Sequence, residues 1–372
     1  MIIGVPKEIK NFEFRVGLVP GSVREFIANG HQVIVQKNAG EKIGFDNHHY
    51  EHAGARIVET AEEVFAEAEM IIKVKEPQPN ECKMLREGQV LFTYLHLAPD
   101  PQQARLLQES GCIAIAYETV TDKNGGLPLL APMSEVAGRM SIQAGSNCLE
   151  IKNGGRGILL GGVPGVTPAK VVVIGGGVAG MNAIRVATGM GANVVVIDKS
   201  VERLYHIDLQ FGSRINTAFS TLDAIEEHVL EADLVIGAVL IPGASAPRLV
   251  NRNLLSRMRH GSVVVDISID QGGCFETSKP TTHAEPTYIV DGVVHYCVAN
   301  MPGAVPRTST FALNNVTLPF ALALANYGYK EAMRHNRHLL NGLNVAYGKI
   351  THKAVAEALK QSYEPADQLV GI

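Results

Sequence analysis

The segment 170–180, KVVVIGGGVAG, constrains the fold more than any other stretch of the chain. Its apolar residues 171–174 read as a buried strand. Gly175, Gly177 and Gly180 then fill a GxGxxG pattern that opens an apolar segment read as a helix over about 178–189. A second strand, 193–197, leads into Asp198, which lies 18 residues beyond Gly180. A strand, a glycine turn, a helix and then an acid near this spacing form a dinucleotide fingerprint. Gly175 permits the tight turn, Gly177 lets the backbone approach a pyrophosphate, and Gly180 lets the helix pack on the strand. The helix N-terminus offers free N–H groups and partial positive charge to the phosphates. Asp198 suits the ribose hydroxyls of the adenosine half and repels a 2′-phosphate, so the expected cofactor is NAD rather than NADP.

Strand and helix patterns alternate on both sides of this motif. Runs 2–5, 32–35, 70–74, 89–92 and 112–116 read as strands, and 22–28 and 61–68 as helices. A second series continues with strands at 234–238, 262–266 and 294–298 and a helix from about Ser200. Such alternation implies mostly parallel, doubly wound sheets. The 372 residues exceed the usual size of one core, so two domains are expected. A helix over 134–151 enters the second series, and the chain turns helical again after about Pro306, with a last helix over 355–359. The expected class is α/β: two doubly wound domains, residues 1–133 with 306–372 around an inserted Rossmann domain at 134–305.

Composition excludes other classes. With 46% hydrophobic and 19% charged residues the chain can fill ordinary cores. A net charge of -4 without a basic tract argues against nucleic acid as a partner. No apolar run reaches membrane-spanning length, and the start MIIGVPKEIK lacks a secretory pattern. Five scattered cysteines without a CxxC pair argue against a disulfide framework or a metal site, and a reduced, cytoplasmic setting is expected.

Four polar residues stand near strand ends. Arg15 follows the first strand in EFRV, Lys75 ends the apolar strand 71–74 in KVKEP, His96 follows FTYL, and Asp270 follows VDISI. The carboxyl ends of parallel strands form the ligand crevice of such sheets, which places these residues well. Each also has a plain structural reading: salt bridge, solvated strand end, satisfied histidine and turn former.

These residues sit in long ordered blocks: GVPKEIKNFEFRV, KVKEP, LFTYLHLA, LPLLAPMSEVAGR, GGVPGV, DLVIGAVLIPG, VDISIDQGGCFE and VANMPGAVPRTST. In them the chain resembles the alanine dehydrogenase family, with the related nicotinamide nucleotide transhydrogenase α-subunit, along nearly its whole length to about residue 330. The resemblance implies a reversible reaction in which L-alanine, NAD and water give pyruvate, ammonium and NADH. It implies that Arg15 binds the substrate carboxylate, that Lys75 contacts the substrate and its carbonyl, and that His96, Asp270 and Lys75 are catalytic. It places cofactor contacts at Ser134, Gly175, Gly177, Val178, Ala179, Gly180, Asp198, Arg203, Ser220, Val239, Leu240, Ile267, Ser268, Ile269, Asp270, Val298, Ala299, Asn300 and Met301. Lys279 stands where family members often have arginine. The usual assembly of that family is a homohexamer. Rival readings are a transhydrogenase component, which needs membrane segments here or in a partner, a non-catalytic NAD-binding module, and an oxidoreductase acting on another amino acid.

Overall fold

The computed structural model describes residues 1–239 and 246–371. The chain divides into two compact units, Met1–Met133 with Val305–Ile372, and Ser134–Ala304.

The first unit begins with six strands, β1 (Ile2–Val5), β2 (Gln32–Gln36), β3 (Arg56–Val58), β4 (Met70–Ile72), β5 (Val90–Thr93) and β6 (Ile113–Ala116). They run parallel in the order β3-β2-β1-β4-β5-β6. Strands β4, β5 and β6 are buried along their length, as helices covering both faces of a parallel sheet require. The apolar run through Val74 outlasts the strand, because a carboxylate takes over from the ladder. Lys73 N–H still reaches the Phe92 carbonyl at 3.2 Å. The next two, Val74 N–H and Lys75 N–H, donate to the Glu8 carboxylate instead.

The second unit holds β7 (Lys170–Ile174), β8 (Asn193–Asp198), β9 (Ile215–Phe219), β10 (Leu234–Gly237), β11 (Val263–Asp266), β12 (Thr287–Val290) and β13 (Val293–Tyr296). Their order is β12-β13-β11-β10-β7-β8-β9, parallel apart from the antiparallel edge strand β12. Numbered along the chain, the six parallel strands run 3-2-1-4-5-6, the Rossmann order. The six parallel strands of the first unit follow the same order, so each sheet has one point where its strand order reverses: between β1 and β4, and between β7 and β10.

After the second unit the chain returns. A helical run, Pro306–His335, is broken at Gly328, whose φ of 73° leaves the helical region. Strands β14 (Leu343–Ala346) and β15 (Lys349–Ile350) then extend the first sheet beyond β6, both antiparallel to their neighbours. Val345, Ile350 and Val355 join Phe65, Leu91 and Leu107 in one apolar core. Asn314, buried in the returning helix, accepts from Val19 N–H at 2.8 Å and donates to the Gly17 carbonyl at 3.1 Å. Two backbone groups of the β1–β2 connection are therefore satisfied by a residue almost 300 positions away. The helix Ala131–Cys148 starts three residues earlier than the sequence pattern suggests, with Pro132 tolerated in its first turn.

His295 on β13 is fully buried, with one ring nitrogen 2.7 Å from Thr277 Oγ and the other 3.0 Å from the Val293 carbonyl. Burial holds its imidazole below the ordinary value of 6.5. The unfolded chain therefore takes up this proton first as pH falls, and folding stability drops below pH 6.5 until the folded ring also protonates. The slope from this residue is at most about 1.4 kcal/mol per pH unit. Urea midpoints at pH 7.5, 6 and 5 should fall less steeply for His295→Gln than for the parent chain.

Candidate active site

At the carboxyl edge of the first sheet, the loops after β1, β4 and β5 carry polar residues fixed by carboxylates of the same or a neighbouring loop. Arg15, in the loop after β1, is 2% exposed. Its Nε and Nη2 donate to the two oxygens of Glu13 at 2.7 and 2.6 Å. Its Nη1 donates to Met133 Sδ at 3.0 Å, and thioether sulfur is a weak acceptor. Burial works against the guanidinium charge, but Glu13 outweighs it and holds Arg15 protonated. One fork of the guanidinium thus serves Glu13, and the Nη1 side is turned toward the Met133 sulfur.

Lys73, just past β4, is fully buried between Glu8 at 3.0 Å and Glu81 at 2.7 Å. Burial alone would strip its proton; the two carboxylates reverse this. Burial also lifts the Glu8 carboxyl above its ordinary range, against the pull of Lys73. Glu8 Oε1 accepts from Val74 N–H at 2.7 Å and from Lys75 N–H at 3.2 Å, so the triad fixes the backbone that presents Lys75. Lys75 itself is half-buried, and among the described residues its ammonium makes no hydrogen bond.

His96 follows β5 with a φ of 51°, a left-handed conformation rare for a residue with a Cβ. Its ring lies 7° from parallel with Tyr94, centroids 5.7 Å apart. Glu118, after β6, accepts from His96 N–H at 2.6 Å and from Leu95 N–H at 3.2 Å. Arg15, Lys75 and His96 therefore leave β1, β4 and β5, three adjacent strands at the switch point of one sheet.

In the second unit the fingerprint forms a cradle between β7 and the helix Val178–Gly189. Gly175 has a φ of 101°, and a Cβ there would press on the Ala238 carbonyl. A Cβ on Gly180 would overlap the Gly175 carbonyl, whereas one on Gly177 would meet nothing within 4 Å. Gly177 also caps the helix without any side-chain acceptor, so the first-turn N–H groups face an open backbone surface. Asp198, at the end of β8, accepts from Gly176 N–H at 2.7 Å and from Ser200 N–H at 2.8 Å. A carboxylate has about four lone-pair sites, which leaves acceptor capacity for hydroxyls. A bare helix N-terminus, a glycine where the backbone must be approached and an acid at the next strand end fit a dinucleotide such as NAD.

The remaining expected cofactor positions spread along the same edge. Val178 and Ala179 form the first helical turn, and Arg203 lies beside the fingerprint, its Cγ near the position a Gly176 Cβ would take. Ser220 N–H is tied to the Asp198 carbonyl, and Val239 accepts from Ser268 Oγ at 2.7 Å. Leu240 lies outside the described residues. Ile267, Ser268, Ile269 and Asp270 form a single-turn helix, Ile267–Gln271, with Asp270 at the surface. Asp266 holds that turn: it accepts from Ser268 N–H at 3.0 Å, Cys274 N–H at 2.9 Å and Ser278 Oγ at 2.5 Å. Val298, Ala299, Asn300 and Met301 follow β13, Ser134 lies in the first turn of Ala131–Cys148, and Lys279 is exposed with its N–H on Tyr288 Oη.

Sequence reasoning passed over Glu8, Glu13, Lys73, Glu81, Glu118 and Asp266. Lys73 carried one signal, a charge inside an otherwise apolar run; Glu8 and Glu118 carried none, because their partners are remote in sequence, and Glu13, Glu81 and Asp266 sit close to theirs but in no motif.

An open sheet of Rossmann order with a glycine cradle at its switch point defines a dinucleotide-binding protein. The N-terminal domain model of the alanine dehydrogenase/PNT family matches residues 4–137, and its C-terminal domain model matches 141–353. Alanine dehydrogenase of Halomonas elongata is 59% identical over 371 residues, covering 100% of both chains. That of Methanococcus maripaludis is 53% identical, with 99% of each chain covered. A solved L-alanine dehydrogenase superposes with a TM-score of 0.94 at 52% identity, over 97% of this chain and 99% of the other. A Sinorhizobium meliloti transhydrogenase structure gives 0.79 at 25% identity, over 95% and 100%. The chain belongs to the alanine dehydrogenase/PNT family.

Replacing Lys73 by methionine leaves Glu8 and Glu81 buried without their cation. The expected loss of stability is about 3–5 kcal/mol, read from denaturant midpoints.

Proposed function

We propose that this chain catalyses the reversible, NAD-dependent oxidative deamination of L-alanine to pyruvate and ammonium. The observation that carries this reading is 59% identity to an alanine dehydrogenase along the entire chain. The transhydrogenase likeness is more distant, at 25% identity. Among the described residues no helix is long and apolar enough to cross a membrane.

NAD, when bound, supplies the acceptor for the hydride on the substrate's α-carbon. The fingerprint glycines with Val178, Ala179, Asp198 and Arg203 would hold it. The protein's own residues bind the substrate and move protons. Arg15 receives the substrate carboxylate through its guanidinium, which Glu13 keeps protonated and fixed in the loop after β1. Lys75, fixed through its backbone by Glu8, places positive charge beside the amine or carbonyl and favours negative charge developing there. His96 takes the proton from the alanine ammonium group, so that the amine lone pair can form the imine as hydride departs. Asp270 orients the water that attacks the imine carbon, and the proton released there passes to the departing ammonia. The reverse reaction uses the same groups in the opposite order. A homohexamer in the cytoplasm is the assembly and setting we infer, by analogy with the family.

Mixing the protein with L-alanine and NAD at mildly alkaline pH should produce NADH, with no signal from D-alanine, L-lysine or NADP. NADH binding without turnover would favour the non-catalytic or transhydrogenase reading. His96→Ala should abolish most turnover and leave the NADH dissociation constant near that of the parent. Asp198→Ala should weaken NAD binding and narrow the gap between NAD and NADP, measured as the ratio of their kcat/KM values.

A further inference from the structure

Glu118 presents a contradiction in simple electrostatics. Its carboxylate is 15% exposed, yet among the described residues no lysine or arginine pairs with it. Its hydrogen bonds are backbone ones, from Leu95 N–H to both oxygens at 3.2 Å and from His96 N–H at 2.6 Å. A neutral acceptor would satisfy His96 N–H without the cost of burying a charge. Among the described residues the ion pair it makes is with the His96 ring, whose Nδ1 stands 3.9 Å from Glu118 Oε1.

Two other titratable side chains face this carboxylate. Tyr94 lies under the His96 ring, and burial keeps its phenol protonated far beyond neutrality. His352 comes from the segment after β15; burial holds its imidazole below the ordinary range, against the pull of Glu118. Its buried Nδ1 has no hydrogen-bond partner among the described residues. Both are neutral near pH 7, so neither supplies the missing positive charge.

The backbone adds a second reason. A left-handed histidine costs roughly 1–2 kcal/mol unless its surroundings hold it. Glu118 grips both N–H groups of that turn, and the Tyr94 face sets the ring plane.

We propose that Glu118 is the positioning residue of His96: its carboxylate holds the left-handed turn and stabilises the imidazolium that forms when His96 accepts a proton. This rests on the assignment of His96 as the acid/base group. Glu118 touches no reacting atom and acts through His96.

The two roles separate by substitution. Glu118→Gln keeps an oxygen for His96 N–H and removes only the charge. The acidic limb of kcat/KM for L-alanine should then move down by about half a unit or more, since the imidazolium loses its counter-charge. Glu118→Ala also frees the turn, and kcat should fall about 100-fold while NADH binding persists. In a His96→Ala background, Glu118→Gln should slow turnover no further. An unmoved limb, or a loss that adds fully to that of His96→Ala, would overturn the proposal. If Glu118→Ala does not fold, Glu118→Asp decides: the limb should stay in place while kcat falls, and a limb shifted as in Glu118→Gln refutes the charge role. Full turnover by His96→Ala would instead sink the assignment of His96. An inactive His96→Ala beside unaffected Glu118 variants would sink this proposal alone.

Discussion

The structure depends on one repeated interaction: a carboxylate that leaves one strand end and accepts the backbone N–H groups of a loop. Glu8 after β1 holds Val74 and Lys75 after β4. Glu118 after β6 holds Leu95 and His96 after β5. Asp198 ending β8 holds Gly176 after β7, and Asp266 ending β11 holds the turn that contains Asp270. Loops at the carboxyl edge of a parallel sheet lie beyond the ladder, and their N–H groups need acceptors from elsewhere. Carboxylates fill that need with strong, charge-assisted bonds and fix the backbone from which each polar side chain projects.

Much of the fold was legible because burial on both faces writes itself into the sequence as continuous apolar runs. The central strands β1, β7, β10 and β11 all stand out this way. Strands β3, β9, β12, β14 and β15 did not. β9 (INTAF) and β12 (TYIV) are edge strands whose exposed positions tolerate polar residues, and β15 has two residues. Ladder position, not composition, makes them strands, and ladder position is a property of the assembled sheet.

The candidate site was legible in its projecting residues and not in its supports. Arg15, Lys75, His96 and the fingerprint occupy motif positions that local sequence displays. Glu8 and Glu118 look like ordinary surface acids until the sheet brings a distant N–H or ammonium against them, and Glu81 and Asp266 until the local turn closes on them. Glu8 and Lys73 lie 65 residues apart and meet only because β1 and β4 are neighbours. The strand order therefore belongs to the chemistry as much as the side chains do.

Asn314 extends this dependence to the time axis of synthesis. The connection after β1 relies on a side chain that the ribosome adds about 300 residues later. At about 5–20 residues per second, that interval is on the order of fifteen to sixty seconds. Through it Gly17 O and Val19 N–H lack the Asn314 side chain and the edge of β6 awaits β14, while Ser134–Ala304, one unbroken stretch, is complete before either arrives. The order of birth is thus inverted in the order of completion: the part made first is finished last. In a crowded cell the half-formed N-terminal sheet is the stretch of this nascent chain that most needs shielding.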